Sequence, residues 1–491
     1  MNPELASAGV VGISSTYPRC WSVYADAHND FGWPALMMFL ESIGIDFVSS
    51  NIGYNWFAYG ASDYSIGTNN NYTNNMAWYL SYKIIKSSND LIATIDPETT
   101  DPELMLFAAQ GYANRAYAYF ILAQLFQQTY VGHESLPCVP IITDLNSDQV
   151  AMDGGAPRAS VQEVYDQILS DLDTAVGMLD RSGLPVTQIA STGSRRFVSL
   201  GAAYGLRARV NLVMNNWQAA ASDAANAIRT SGCTPLSIEE ASRPGFSNSD
   251  DHECMWAIYI QETDRCVTTG IVNYPSMMGS FNSNGYWTVG ATRRINKGLF
   301  ASIPTNDARK GWWLDSSKSS KNLTTEETKF VMGYNPDAYT TVKFGPYQGQ
   351  VGTVTNANDF FLMRVEEMYL IQAEATAMAG DAAAGKNLLE TFVKTYRNPS
   401  YTCNASTPEA VQNEVWMQRR IELWGEGFAY LDLLRLNKGL DRRGGGWEAV
   451  WCYNVPAPLK PLLIPNGEMQ ANKNIGANND AWATPQPVDD I

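Results

Sequence analysis

The sequence predicts a mainly α protein, built as a scaffold of helical hairpins with large loop-rich inserts that carry short strands. Several segments place apolar residues at helical spacing, with alanine where two helices would make close contact. Between these segments lie stretches rich in Gly, Asn, Ser, Pro and aromatic residues, which have little helical period. The 491 residues would suffice for two or three domains, and one large helical domain with inserts fits equally well.

The segment from Leu206 to Ile228 has the clearest hairpin pattern. Its small residues Ala208, Ala220 and Ala227 stand at the offsets expected for a tetratricopeptide-like hairpin. Asn215-Asn216 predicts the turn between the two helices.

Three more hairpins complete the predicted scaffold. They pair residues 109–126 with 161–172, residues 360–379 with 382–396, and two helices within 408–437. Ser160 and Glu163 form a capping box that opens the helix at residue 161, and a separate helix is expected to run from Trp78 to Asn89. The scaffold is expected at about 77–230 and 359–437 and the inserts at about 50–76, 231–358 and 438–491, within one domain spanning 1–491.

Composition and charge restrict the class of ligand. The formal charge of −16 and the pI near 4.7 disfavour nucleic acid and anionic membrane surfaces, which need exposed Lys and Arg. Aromatic residues make up 11% of the chain, with 14 Trp and 25 Tyr. Their flat apolar faces with polar edges favour a neutral carbohydrate.

The cysteines and the hydropathy exclude several other classes. The seven Cys contain no CxxC pair, so the sequence offers neither a zinc ribbon nor a thioredoxin-like motif. Cys254 and Cys266 are a possible bridge across a loop, but spacing alone does not fix disulfide geometry. No run of 18 apolar residues occurs, and the residues after Met1 lack the pattern of a secretory signal.

Aromatic residues beside Asn in the inserts are the candidate binding site. A sugar ring stacks its C–H face on an aromatic ring, while its hydroxyls need amide and carboxylate partners. The loops therefore predict this set of ligand-binding residues: Trp56, Tyr59, Asn71, Tyr72, Asn284, Tyr286, Trp287 and Trp312.

Other interpretations of these aromatic residues remain open. About half of the rings near residues 54–79 are expected to fill core space. Tyr286-Trp287, after the turn signal Asn284-Gly285, is predicted to form a surface platform, and one ring of Trp312-Trp313 is expected to be exposed. Tyr347 is among the further aromatic residues of the large insert.

No catalytic or metal-binding motif is evident, and we expect no cofactor. Glu422 and Glu426 stand four apart on a predicted helix like an acid/base pair, but the arginines around them favour a structural ion-pair network. Asp251-His252-Glu253 beside Cys254 is a weak metal candidate without a second ligand pair. GxSxG, Walker, GxGxxG and HExxH motifs are all missing.

Several blocks in a fixed order resemble one family. The strongest are Phe360–Ala375, with FFLMRVEEMYLIQAEA; Arg419–Arg435, with RRIELWGEGFAYLDLLR; and Leu463–Ile475, with LIPNGEMQANKNI. Softer matches are Tyr82–Asn89, Arg115–Phe120 and Leu206–Val210. Together they resemble the SusD/RagB family of glycan-binding outer-membrane lipoproteins.

This resemblance implies a function without chemistry. It implies an all-helical, tetratricopeptide-containing protein that is lipid-anchored on the outside of the Gram-negative outer membrane. Such a protein binds oligosaccharide or polysaccharide and delivers it to a SusC-like TonB-dependent transporter, which its hairpin face would meet. The family's signal peptide and lipidated cysteine are then missing from the printed sequence.

The resemblance leaves the binding residues open. Ligand contacts in the family lie in variable loops, so no binding residue transfers by motif. Two other functions stay open: a helical glycoside hydrolase, which needs two exposed carboxylates about 5 to 10 Å apart, and a surface protein that captures peptide or another nutrient.

Overall fold

The structure is a computed structural model that describes residues 3–49, 56–57 and 71–491. Within these ranges eighteen α-helices and six short β-strands form, which confirms the predicted mainly α class. The first helices are α1 (Pro3–Thr16), α2 (Trp33–Ser42), α3 (Tyr72–Ile92), α4 (Pro102–Phe126), α5 (Ser147–Asp153), α6 (Val161–Ser182), α7 (Leu200–Val213), α8 (Trp217–Ser231) and α9 (Ile238–Ala241). The others are α10 (Arg265–Thr268), α11 (Tyr274–Met278), α12 (Lys297–Ser302), α13 (Thr325–Gly333), α14 (Val365–Met378), α15 (Ala382–Tyr396), α16 (Pro408–Glu422), α17 (Ala429–Arg435) and α18 (Asn466–Ala471).

The strands form three separate antiparallel pairs. They are β1 (Phe47–Ser49), β2 (Cys254–Ile258), β3 (Arg293–Ile295), β4 (Phe360–Arg364), β5 (Leu440–Asp441) and β6 (Asn454–Val455). β1 pairs with β3, β2 with β4 and β5 with β6. The described strands therefore join pairs of chain segments, and they do not form a larger β-sheet.

Three of the predicted helical hairpins form, and the two helices predicted within 408–437 are present as α16 and α17. α7 and α8 pack together across a turn in which Asn215 adopts a φ of 60°, and Ala208, Ala220 and Ala227 are fully buried at their contact. α4 packs against α6, and the Ser160–Glu163 capping box forms at the start of α6. α14 contacts α15, α16 and α8, so the hairpins join into one scaffold.

Two predicted helix boundaries are wrong. Residues 360–364 form strand β4 rather than the start of α14, because this apolar run is fully buried and pairs with β2. α3 begins at Tyr72 rather than Trp78, because Asn71 caps it by accepting a hydrogen bond from the backbone N–H of Thr73 at 2.7 Å. Buried apolar runs of this length do not distinguish strand from helix by periodicity alone.

A buried ion-pair network joins the hairpins to β4. Arg364 donates to Glu422 at 3.1 Å and to Glu426 at 2.9 Å, and Arg397 donates to Glu422 at 2.8 Å. Lys343 donates to Glu426 at 2.6 Å. All of these side chains are buried, so the network lies in the core of the scaffold.

The first and last parts of the chain are tied directly to each other. Glu41 on α2 accepts hydrogen bonds from the backbone N–H groups of Gly427 at 2.7 Å and Phe428 at 3.0 Å. Arg420 pairs with Asp46 at 2.6 Å, and Arg442 donates to the carbonyl of Ser42 at 3.1 Å.

Among the described helices, none is both long and apolar enough to cross a bilayer.

Candidate functional site

Five aromatic side chains from three segments, which together we call the aromatic patch, are Trp21, Tyr24, His28, Trp56 and Tyr72. The His28 ring lies 5.0 Å from the Trp56 ring, and the Tyr24 ring lies 4.4 Å from the Tyr72 ring. All five side chains are half-buried, so each keeps part of its surface accessible. The patch thus combines Trp56 and Tyr72, both predicted from the sequence, with residues that follow α1.

Polar side chains hold the aromatic patch in place. Asp30 accepts hydrogen bonds from the backbone N–H groups of Val23 and Tyr24, both at 2.7 Å, and burial raises the pKa of its carboxyl. Asn29 donates to the carbonyl of Trp56 at 3.1 Å. The indole N–H of Trp56 is buried and has no hydrogen-bond partner among the described residues.

A second accessible surface, which we call the tyrosine cleft, follows strand β2. It encloses about 470 Å³ and is lined by Ser247, Asn248, Asp250, Tyr259, Ile260, Gln261, Glu262, Thr263, Tyr347, Gln348, Ala357 and Asp359. Two half-buried phenol rings, three amides and three carboxylates therefore surround one open volume. Exposed rings beside amides and carboxylates are the groups that the C–H faces and hydroxyls of a sugar require.

Tyr347 and Glu262 fix each other's position in the tyrosine cleft. The Tyr347 hydroxyl donates to Glu262 Oε1 at 3.0 Å, and Gln348 donates to the same hydroxyl at 3.1 Å. Partial burial and the Glu262 carboxylate raise the pKa of Tyr347, so the phenol is neutral at physiological pH. Gln348 adopts a φ of 53°, in the left-handed region that non-glycine residues seldom occupy, and strain of this kind concentrates at binding sites.

The Tyr259 ring packs against Arg196 and Gly193. The Arg196 guanidinium lies 5.5 Å from its centroid, and Gly193 lies so close that a Cβ there would approach the ring to 2.5 Å. Gly193 has a φ of 61°, so both the conformation and the contact favour glycine. Arg265, the first residue of α10, stacks on Trp21 of the aromatic patch at 4.5 Å.

A framework of asparagines lies beneath the two surfaces. Asn282 donates to Asn356 at 2.7 Å, and Asn356 donates to the carbonyls of Gly270 and Asn284, each at 2.9 Å. Asn284 donates to Gly270 at 3.2 Å. These bonds join the loops at residues 270, 282–284 and 356, and Asn284, which takes part in them, is half-buried.

The predicted exposure of Trp287 and Trp312 is wrong. Trp287 is 2% exposed, because its indole N–H donates to Asn282 and its ring packs 4.8 Å from Tyr334. Trp312 and Trp313 are both 0% exposed, and the Trp312 indole donates to the carbonyl of Ala241 at 2.7 Å. Rings with these partners cannot stack on a ligand in this conformation.

The other predicted residues have varied positions. The predicted surface platform is wrong for Tyr286 as well, because this ring is buried at 6% exposure and its hydroxyl is hydrogen-bonded to His28 Nδ1 of the aromatic patch. Asn71 caps α3, and Tyr72 packs within the patch. Tyr59 lies outside the described residues.

Comparison with protein-family models decides the family. A SusD-like model described as "Starch-binding associating with outer membrane" matches residues 26–212, and a model described as "SusD family" matches residues 286–488. The chain belongs to the SusD family. A search of curated proteins found no match.

Solved structures of SusD-like proteins share this fold. A SusD-like carbohydrate binding protein from Bacteroides vulgatus ATCC 8482 is 21% identical, with 96% of this chain and 97% of the other covered and a TM-score of 0.75. A SusD superfamily protein from Bacteroides thetaiotaomicron VPI-5482 is 20% identical, with 98% and 100% covered and a TM-score of 0.74. A laminarin binding SusD-like protein is 21% identical, with 98% and 99% covered and a TM-score of 0.66.

The acidic pair of this SusD-family chain belongs to the core. Although burial alone would raise the pKa of Glu422, Arg397, Arg364 and Arg309 hold it well below its usual range. Arg364 and Lys343 likewise lower the pKa of the buried Glu426. Two buried, permanently ionised carboxylates cannot serve as an exposed acid/base pair.

His252 of the candidate metal site Asp251-His252-Glu253 is hydrogen-bonded to other residues of the protein. His252 bonds to the Glu240 carboxylate at 3.1 Å and to the carbonyl of Thr234 at 2.8 Å. Across residues 3–49, 56–57 and 71–491, no group of three His, Cys, Asp or Glu is arranged to hold a metal ion.

Sequence reasoning missed Tyr259 and noted Tyr347 without selecting it. The available signal was positional: Tyr259-Ile260-Gln261-Glu262 directly follows the buried run of β2, where a strand ends and its loop reaches the surface. Polar and aromatic residues at the end of a buried strand therefore indicate this cleft, which aromatic density alone does not.

Proposed function

We propose that this SusD-family protein binds neutral oligosaccharide or polysaccharide at the cell surface, without catalysis, and that the tyrosine cleft is its main binding site. The observation that carries the proposal is the cleft itself, in which the Tyr259 and Tyr347 rings border an open volume lined by amides and carboxylates. Family membership and the laminarin binding relative support a glycan as the ligand.

The two surfaces divide the work of binding. In the tyrosine cleft, Tyr259 and Tyr347 stack on sugar rings while Asn248, Gln261 and Gln348 bond to hydroxyls. In the aromatic patch, the half-buried Trp56 and Tyr72 rings stack on sugars of a longer chain. Shallow, hydrated sites of this kind give weak affinity, on the order of micromolar to millimolar Kd.

Delivery to a transporter is the second part of the proposal. We place the protein on the extracellular face of the outer membrane, held there by a lipid anchor, with its helical hairpin face against a SusC-like TonB-dependent transporter. This part rests on family membership. Affinity purification of the native lipidated protein from detergent-solubilised outer membranes should recover a TonB-dependent transporter at equimolar yield, and recovery of the protein alone contradicts the assignment.

The glycan proposal is tested by affinity electrophoresis against a panel of neutral polysaccharides, followed by calorimetry with any that retard the protein. Tyr259→Ala and Tyr347→Ala should each weaken binding about tenfold or more, equivalent to about 1.4 kcal/mol. Tyr204→Ala is a matched control, because Tyr204 is also half-buried beneath an arginine, with Arg207 at 5.3 Å, but lies on scaffold helix α7.

Three outcomes contradict the proposal. Unchanged binding in both cleft variants excludes the tyrosine cleft as the site, and equal loss in Tyr204→Ala means that the effect is global. Release of reducing sugar by the purified protein would instead establish a glycoside hydrolase.

A further inference from the structure

The tyrosine cleft carries negative charge and no positive charge on its lining. Asp250, Glu262 and Asp359 line it, and no Lys or Arg is among the described residues that do so. The Arg196 guanidinium lies over the Tyr259 ring at 5.5 Å but is not part of the lining. Among the described residues, the lining itself therefore presents carboxylates and no guanidinium or ammonium group to a ligand.

The three carboxylates have different roles. Asp359 is buried, and its two oxygens accept from the backbone N–H groups of Ile260 and Ser249, both at 2.8 Å. Asp359 thus holds the walls of the cleft together. Asp250 and Glu262 are exposed, so their charges are the ones that a ligand meets.

Glu262 is the better placed of the two exposed acids. Its Oε1 accepts from the Tyr347 hydroxyl at 3.0 Å, which fixes the carboxylate at the edge of a ring proposed to stack on sugar. Substituents of a stacked pyranose project past the ring edge, where they come within a few ångströms of this charge. A carboxylate or sulfate on the sugar would be repelled there, whereas a hydroxyl can donate to Glu262.

We infer that Glu262 sets the charge class of the ligand: the cleft accepts neutral sugars and rejects uronate-containing and sulfated polysaccharides. This inference rests on the proposed glycan-binding function. It adds a specificity-determining residue, one that acts by excluding the wrong ligand as well as by orienting Tyr347.

The test compares one polysaccharide with its own acidic derivative. The probe is whichever neutral polysaccharide the wild-type protein binds, before and after partial oxidation of its C6 hydroxyls to carboxylates. Glu262→Gln removes the charge but keeps an oxygen that accepts from Tyr347. Glu326→Gln is the control, since Glu326 is an exposed acid on α13 away from the cleft and its loss changes net charge equally.

We expect oxidation to weaken wild-type binding at least tenfold at low salt and less at high salt, because salt screens exposed charges. In Glu262→Gln, the quantity compared is the ratio of the Kd for the oxidised polysaccharide to the Kd for the neutral one, and this ratio should be about threefold or less, whatever the variant's affinity for the neutral form. Glu262→Lys should go further and prefer the oxidised form.

The outcomes separate the inference from the function on which it rests. Equal discrimination in wild type, Glu262→Gln and Glu262→Lys, or wild-type binding that is unaffected by oxidation, overturns the inference and leaves the glycan site intact. Unchanged binding of the neutral polysaccharide in both Tyr259→Ala and Tyr347→Ala removes the cleft as the site and overturns both.

Discussion

Replacing Glu253 with glutamine should remove a pH dependence from the stability of this protein. The Glu253 side chain is fully buried, and neither of its carboxylate oxygens has a hydrogen-bond partner among the described residues. Burial, and then the nearby Glu366 carboxylate, raise the pKa of Glu253 to about 8. The group therefore carries a proton in the folded protein at neutral pH.

The charges around Glu253 give an independent reason for this proton. The neighbouring buried network contains four cations and four anions, which already balance: Arg309, Lys343, Arg364 and Arg397 with Asp307, Glu366, Glu422 and Glu426. An ionised Glu253 would add a fifth negative charge without a cation of its own, at a high cost in solvation free energy.

The direction and size of the change in stability with pH follow from the difference in the Glu253 pKa between the folded and unfolded states. The ordinary pKa of 4.5 applies to the unfolded chain, and the folded value is about 8. Between these pH values the unfolded chain releases the Glu253 proton while the folded protein keeps it. The free energy of unfolding is therefore not reduced by Glu253 below pH 4.5, and it falls as the pH rises from 4.5 to about 8. At about 1.4 kcal/mol for each pH unit, the loss amounts to about 5 kcal/mol.

The assay is the thermal midpoint of wild type and Glu253→Gln, measured across this pH range by tryptophan fluorescence. Glutamine cannot ionise, so the variant should match wild type at the acid end and exceed it increasingly toward the alkaline end. Glu326→Gln, an exposed acid on α13, controls for the change in net charge. Parallel pH profiles for wild type and Glu253→Gln would refute the reasoning.

Three further changes test other parts of the structure. Trp287→Ala should destabilise the protein by about 3 to 5 kcal/mol, because it empties a buried indole site; a lowered thermal midpoint with binding retained in the folded fraction supports this, and an unchanged midpoint contradicts it. Glu422→Gln should cost about 3 to 5 kcal/mol, since it leaves Arg364 and Arg397 undercompensated in the core; denaturant unfolding that matches wild type would argue against it. Asn71→Ala should cost about 1 kcal/mol by removing the α3 cap, and Asn71→Ser should restore most of it in the same measurement.

The scaffold was predictable because its signals are local. Alanine offsets, the Asn215-Asn216 turn and the capping box at Ser160 each depend on residues close in sequence, and each predicted element forms. Strand β4 was not predictable, because its partner β2 lies about a hundred residues earlier and no local pattern reveals the pairing. The division of the chain into one domain with three inserts stays a prediction.

The candidate site was harder to predict, because aromatic content does not determine exposure. Trp287 and Trp56 look equivalent in sequence, yet Asn282 and Tyr334 enclose the Trp287 ring whereas the Trp56 side chain is only half-buried. Whether a ring supports a loop or borders a cleft is decided by tertiary partners from other segments. A single sequence does not identify those partners.

The ties between α2 and the end of the scaffold limit when folding can finish. Glu41 and Asp46 are synthesised early. Their partners are synthesised near the end of the chain: Gly427 donates to Glu41, and Arg420 pairs with Asp46. Arg442, which donates to the carbonyl of Ser42, is also synthesised late. Until these late residues have been synthesised, the Glu41 and Asp46 carboxylates lack the partners named above. The amino-terminal helices therefore cannot complete their packing before that point. A chain truncated before residue 420 is therefore expected to be a substrate for proteases rather than a smaller folded protein, because its first helices would never acquire their partners.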